Sequence, residues 1–505
     1  MRAPKSIKAM PSYGVRIRQA ALSVATLVVL GGATISADAI EMYVDTETKQ
    51  VFISPGVNRV RLSEFEEVNA VVGKIPPEEV KALETKLRQK KKMDEAQAKE
   101  ELTTALKPKK VWTDAISVRG YTQMRYAQPI SGDRANLVSP GDIYLANNNG
   151  FGVRRARLIF FGDVSDHLYW YAQTEFNGSG TGGAVIRDSY ADIAFDDQKE
   201  HRVRAGISKV PFGFEILQSS QNRLAFDRAD ALNSAARDER DMGVAYMWAP
   251  AEIRDRFRDL VRSGLKGSGD YGVLAAGVYN GQQLNKLELN DNLHAVARAS
   301  YPFKLDSGQF VEAGVSAFSG RVVPTRATGG VSGVASPLTP TVLGDPFAIN
   351  TTASNANGTT SGKGQLDERV GAHFVYYPQP FGFQSEWNVG RTPTLNRDTR
   401  KTITPERIGG GYLQTMYRTT NTYGNWTPYL KWQKFDGAER FSTNAPYSRL
   451  NEKEAGVEWQ PWPAVELTVA YADMHRTNLG IVSTAISGNS QVKADMVRVQ
   501  LQWNY

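Results

Sequence analysis

The sequence predicts an all-β fold: a transmembrane antiparallel β-barrel of sixteen strands, preceded by a short helical periplasmic N-terminal extension. Three observations carry this. From residue 116 onward, apolar and polar residues alternate with a period of two. The connectors between these segments alternate between long and short. The last segment, 495–505, closes on an aromatic residue, Tyr505.

The chain begins with a basic stretch, then an apolar run from Ala20 to Ile35, then Ser-Ala-Asp-Ala at 36–39. That is the layout of an export signal, with cleavage expected after Ala39. The run is too short for a spanning helix. Residues 1–39 carry five of the basic residues (Arg2, Lys5, Lys8, Arg16 and Arg18) and one acid, Asp38. The formal charge of +7 therefore falls to +3 in the mature chain, and nucleic acid is not an expected partner. The sequence has no Cys and five dispersed His (His167, His201, His294, His373 and His475), which argues against disulfides, thiol chemistry and a metal centre. No G-x-S-x-G, H-E-x-x-H or phosphate-loop motif is present, so neither an enzyme nor a cofactor is expected.

Residues 40–112 read as a periplasmic extension. A hairpin is expected over 41–53, turning around Thr46–Lys49. Pro76 and Pro77 then open a helical stretch over 76–107, with Val80, Leu83 and Leu87 on one face, interrupted at Lys90–Lys92. Two roles are open for it: a small coiled coil between subunits, or a solvated linker in contact with the periplasm or cell wall.

The barrel, 113–505, contains sixteen alternating segments: 116–126, 151–162, 168–177, 188–196, 201–210, 241–248, 271–280, 292–302, 309–320, 368–377, 381–390, 407–418, 426–435, 452–460, 464–473 and 495–505. In the first, Val118, Gly120, Thr122, Met124 and Tyr126 oppose Arg119, Tyr121, Gln123 and Arg125. One face suits lipid and the other water. Closure follows because lipid leaves no backbone group a partner outside the sheet. Tyr169, Trp170, Tyr279, Tyr376, Tyr377, Trp432, Trp459, Trp462 and Tyr505 lie near segment ends, where the membrane interfaces should fall.

Several stretches resemble the phosphate-selective porins O and P of Gram-negative outer membranes. They are FGVRRARLIFFGDVSDHLYWYAQTEF at 151–176, SYADIAF at 189–195, HRVRAGISKVPFGFE at 201–215 and GVEWQPWPAVELTVAYADM at 456–474. The resemblance covers about 112–505 and is weaker in the loops. It implies a homotrimer of sixteen-stranded barrels in contact with outer-membrane lipid and lipopolysaccharide. It also implies inward-folded loops and an arginine ladder leading small anions such as phosphate to a basic constriction. Residues 40–110 are longer than the start expected of the family's classical members.

The alternation puts Arg119, Arg125, Arg155, Arg157, Arg202, Arg204, Arg298, Lys431 and Arg498 on the wet face, where they would form an anion path. Arg154 falls on the other face, with Ala156, Leu158 and Phe160, and is expected near a rim or in a local pair. Connector 211–240 follows the fifth segment, the place of the loop that narrows sixteen-stranded porins. Lys209, Arg223, Arg228, Arg237 and Arg240 are its basic candidates for the constriction. The competing reading makes these cations struts, with Glu175 and Asp192 as partners for Arg155 and Arg157. Connector 249–270 reads as a basic connector on the periplasmic side, either a surface helix or a contact with the N-terminal region. The function expected is passive diffusion of small anions, of phosphate or polyphosphate type. The alternatives are a general porin for small hydrophilic solutes and a barrel-anchored envelope-attachment protein.

Overall fold

In the computed structural model, the described residues are mainly 115–132, 150–176, 183–324, 364–396, 403–442, 445–479 and 490–505, with short pieces between 43 and 81. The export signal, most of the helical stretch 76–107 and most of loop 321–367 lie outside them.

The chain forms two compact units, 1–110 and 111–505. In the first, strand Tyr43–Asp45 pairs antiparallel with Val51–Phe52, joining Tyr43 to Phe52. A third strand, Arg59–Arg61, which the alternation did not suggest, pairs along its other edge.

The second unit is a closed antiparallel barrel of sixteen staves. They are β1 Ser117–Gly132, β2 Gly150–Ser165, β3 Leu168–Phe176, β4 Ala184–Ala194, β5 His201–Lys209 and β6 Arg240–Trp248. Then come β7 Leu274–Tyr279, β8 His294–Lys304, β9 Phe310–Val322, β10 Gln365–Tyr376 and β11 Phe381–Leu395. The rest are β12 Ile403–Tyr417, extended past Arg418 by Thr419–Asn421, β13 Gly424–Ala438, β14 Tyr447–Trp462, β15 Val465–Leu479 and β16 Ser490–Asn504. Each predicted segment falls on one stave.

The seam between β16 and β1 closes the sheet, with Val499 opposite Tyr126 and Trp503 opposite Thr122. The C-terminal residue adds one more rung: Gly120 N–H donates to Tyr505 O at 2.6 Å, and Tyr505 N–H to Gly120 O at 3.0 Å. Glycine is needed at 120, since a Cβ there would sit 2.4 Å from the Tyr505 ring. Mutual pairing leaves no free edge, as lipid requires.

The barrel is inside out relative to a water-soluble protein. Val118, Phe151, Val244, Val315, Val370, Val389 and Leu430 are exposed on the outer face. Arg125, Arg369, Glu312 and Asp367 are almost wholly buried on the inner one. Trp462, Trp503 and Tyr505 are exposed at the end of the short turns, as an interfacial belt requires. Trp426 stacks on Trp459 near the same end, at 5.4 Å. Three residues assigned to the interfaces face inward instead. Tyr279 stacks on His294, Tyr377 donates to Glu312 at 2.6 Å, and Tyr169 lines a cavity beside Arg204. Nearness to a strand end does not fix the face; the phase of alternation does.

Candidate functional site: the lumen and its inward loop

Residues 210–239 enter the lumen and fill much of it. Phe212, Phe214, Ile216, Leu217 and Leu232 are buried there as an apolar cluster or beside one. A four-residue helix, α1 Asp230–Asn233, and a 3-10 turn, Arg237–Glu239, give the loop its order. The loop is fastened to the far wall. Glu386 on β11 accepts N–H donations from Phe214 at 2.9 Å and Glu215 at 2.8 Å. Gly213 has φ +69°, and a Cβ there would lie 1.9 Å from Glu386 Oε1, so the turn admits only glycine. Asn388 and Arg369 donate to Ala231 O, each at 3.1 Å, and Arg369 also reaches Ser234. Burying such groups is tolerable because each finds a partner.

Most of the predicted path residues face inward and are paired. Arg125 is held by Asp227 at 2.8 Å and Phe226 O at 2.9 Å. Arg157 binds Glu175 at 2.5 Å and donates to Ser220 Oγ. Arg202 binds Asp270 at 2.8 Å. Arg204 forks onto both oxygens of Asp192, with Tyr190 under its guanidinium at 3.9 Å. Arg298 binds Glu312 at 3.3 Å and donates to Gly213 O. Lys431 binds Glu215 at 2.6 Å. Arg498 bonds Glu454 and lies 3.4 Å from Asp227. Arg119 is exposed near the turn end, over the Phe161 ring.

The loop cations divide in the same way. Lys209 donates to Leu217 O at 2.7 Å and Gln218 O at 2.9 Å, fixing the loop's entry. Arg228 and Arg240 share Glu239, and Arg240 also binds Asp188 at 2.9 Å. Arg237 donates to Phe441 O at 3.3 Å. Burial is the largest influence on Arg228 and lowers its pKa to about 9 despite Glu239. Asp227 is held well below the usual carboxylate range: burial opposes this, but Arg125, Arg154 and Arg498 together outweigh it.

Arg155 on β2 and Arg223 on the loop are 5% and 7% exposed, yet among the described residues neither has a carboxylate partner. Arg369 lacks one too, but it donates to Ala231 O, Ser234 and Asn388 instead. Arg155 donates to Gln123 Oε1 at 2.9 Å and leaves Nε unsatisfied; Arg223 leaves Nε and Nη1 unsatisfied. The cations acting on Arg155 are Arg154, Arg223 and Arg157. The loop and the β1–β2 wall thus enclose two guanidiniums without an ion-paired acid, with Asp227 and Glu175 acting on Arg155 only from farther off.

Arg154 reaches this place through a bulge. The β1–β2 ladder runs Gln123 to Arg155 and then Met124 to Val153, leaving Arg154 as the extra residue. A strict period of two set it on the lipid side. The bulge lets it reach the lumenal carboxylate Asp227, at 3.8 Å. The alternation also passed over inward-facing Arg369, Arg440 and Arg476 and the loop seat Glu386. Arg369 was legible, sharing a face with Asp367 and His373. Arg440 binds Asp367 at 3.1 Å from a connector, where phase gives no help.

A lumen of fixed charges narrowed by an inward loop defines a porin. Residues 131–505 match the family model described as phosphate-selective porin O and P, and the chain belongs to that family. It is an outer-membrane channel for small anions and not an enzyme. Solved structures with a similar fold include in-vitro folded OmpT of Vibrio cholerae in its trimer form, at 10% identity and TM-score 0.44, covering 77% of this chain and 99% of that one. An anion-selective porin from Comamonas acidovorans matches at 11% identity and TM-score 0.43, covering 77% and 99%. OprB of Pseudomonas putida matches at 8% identity and TM-score 0.45, covering 78% and 95%. No curated protein sequence matches the chain significantly.

Proposed function

We propose that the channel passes phosphate-class oxyanions along the inward loop beside the β1–β2 wall, with Arg155 and Arg223 as the central anion contacts. The observation that carries this reading is that both are buried without a carboxylate partner. A buried, unpaired guanidinium is costly, so water and passing anions must supply what the protein does not. The paired arginines along the wall shape the field but already spend their donors on carboxylates. A route of several weak contacts suits diffusion, because one tight site would retain its occupant.

The test is the reversal potential of single channels in a salt gradient, with chloride and then phosphate. Anion selectivity and a phosphate block that weakens in the Arg155→Gln/Arg223→Gln double variant are expected. A cation-selective wild type would replace this reading with a general porin for small hydrophilic solutes, which the many lumenal acids favour.

Two further parts of the proposal concern assembly. The chain forms a homotrimer, checked by its mass in detergent. Residues 40–112, with the helical stretch 76–107, lie in the periplasm and are dispensable for conduction. Deleting 41–106 while retaining residues 1–40 should leave single-channel conductance nearly intact; channels that insert but do not conduct would overturn this.

A further inference from the structure

On the outer face of β12–β15 two cross-strand rows lie one above the other. The row nearer the short turns is Thr415, Leu430, Ala455 and Tyr471, each paired across a ladder with the next. The row nearer the long loops is Leu413, Trp432, Lys453 and Asp473. Because side chains alternate between faces, both rows point at lipid. The small Ala455 falls between the exposed side chains of Leu430 and Tyr471. It leaves a groove of about 500 Å³ with an apolar floor, and Trp432 and Lys453 stand at the groove's loop-side end.

One row further toward the loops come Lys434, Asn451, His475 and Lys493. All three lysines of this region are exposed. Among the described residues Lys434 and Lys453 have no ion-pair partner, although Asp473 lies across the ladder from Lys453. Asp473 instead lies 2.9 Å from His475 Nε2. Asp495, next along that row, accepts from Ser131 at 2.6 Å and from Tyr471. Trp432 donates to Asn451 at 2.7 Å. The nearby rim cations Arg391 and Arg449 are paired, with Glu368 and Asp436, each at 2.9 Å. The ammonium groups at the end of the groove are therefore the ones left free. A lysine on a lipid face is tolerated where its stem covers apolar surface and its head reaches the headgroups.

We infer that this face is a binding site for one phosphorylated, multiply acylated glycolipid of the outer leaflet. An acyl chain lies in the groove, and a headgroup phosphate sits on Lys434 and Lys453 with Lys493 beside them. Every barrel touches lipid, and an apolar groove alone would take any acyl chain. Here unpaired ammonium donors stand where the chain meets its head, and phosphate oxygens supply the acceptors they lack. Basic side chains at headgroup level favour anionic lipids in this way. The site is independent of the proposed anion route, since these side chains point away from the lumen.

The test uses the full-length channel in detergent, with purified lipid A carrying both its phosphates as the probe. Native mass spectrometry and the temperature at which the folded band is lost are the readouts. One lipid A should stay on each chain and raise that temperature, as any ligand of the folded state does. Lipid A stripped of its phosphates should bind several-fold more weakly. The Lys434→Gln/Lys453→Gln variant should lose this preference and still take the stripped lipid as the wild type does. Both lysines are exposed, so the barrel should fold, which heat-modifiable gel migration checks. Ala455→Trp fills the groove and should weaken both lipids. Single-channel conductance and phosphate block should be unchanged in the lysine variant. Equal binding of the two lipids by the wild type, or an undiminished preference in the lysine variant, would overturn the site. A smaller assembly mass in the Ala455→Trp variant would overturn it too, by making this face a contact between copies of the chain.

Discussion

Along β10–β13 the lumenal face binds protein. Glu386, Asn388 and Arg369 hold the loop, and Lys431 binds its Glu215. Along β1–β5 the same residue types also reach the loop, Arg125 at Asp227 and Arg157 at Ser220 Oγ, but not every cation there finds an acid. Some pair along the wall, as Arg157 does with Glu175 and Arg204 with Asp192, and Arg155 pairs with no acid. Composition does not separate the two regions. What separates them is how many protein acceptors a cation without an acid finds: Arg369 donates to Ala231 O, Ser234 and Asn388 and fastens the loop, whereas Arg155 has Gln123 and is left to attract mobile anions. Each experiment below moves one region toward the behaviour of the other.

The largest effect should come from releasing the loop. Glu386→Ala strands the N–H groups of Phe214 and Glu215 and costs on the order of 1–3 kcal/mol for each buried donor. The loop would then lose its seat on β11. Single-channel conductance should rise sharply and selectivity fall. Wild-type conductance in a correctly folded variant would show that the apolar cluster around Phe212 and Ile216 holds the loop unaided.

Next in size is Arg155→Gln with Arg223→Gln, which removes the unanswered charge. Hydrogen bonds to charged groups are worth about 1.5–3 kcal/mol, so phosphate block should weaken by roughly tenfold or more. The effect should grow at low salt, where screening is weaker. Arg157→Gln, two residues along the same strand, is the sharper comparison. Its charge is already answered by Glu175, which would keep Arg187. Selectivity should change less than with Arg155→Gln, while the temperature at which the folded band is lost should drop. A larger selectivity loss from Arg157 than from Arg155 would break the distinction.

The staves, their faces and the place of the inward loop were legible because each follows from a period of two and from connector length. Pairing was legible only where partners lie across neighbouring strands. The strut reading named Glu175 and Asp192 as partners for Arg155 and Arg157; Glu175 does bind Arg157, Asp192 binds Arg204, and Arg155 has neither. Arg154 was misplaced because one extra residue at a bulge shifts the phase, and nothing in FGVRRAR marks the bulge. Contacts across the lumen, such as Glu386 with the loop or Lys266 with Glu458, join residues nearly two hundred positions apart. Nothing local in the chain encodes them. The same holds for connector 249–270, expected as a basic surface helix or a contact with the N-terminal region: nothing in its own sequence marks its reach to Glu458 and Arg418.

The smallest effect is a titration on the loop itself. Asp230 opens α1 and lines a narrow cavity with Arg228, Lys431, Arg476 and Arg498. Burial raises its pKa to about 6; Glu452 and Asp227 add to the rise, and Arg476, 3.4 Å away, opposes it. Below that pH the carboxyl is neutral and the cations beside it act on the lumen undiminished. Above it a negative charge appears among them. Anion selectivity should therefore be higher at pH 5 than at pH 7, a step that carboxylates with ordinary pKa values of about 4 would not produce in this range. The sign for stability agrees: a carboxyl raised above its unfolded value favours the fold while protonated, and that contribution is lost as pH rises toward 7. Asp230→Asn keeps the shape and removes the ionisation, so it should flatten the selectivity profile between pH 5 and 7 and hold the low-pH value throughout. Reversal potentials at four or five pH values decide it, and a profile that keeps its step in the variant would assign the titration to another group.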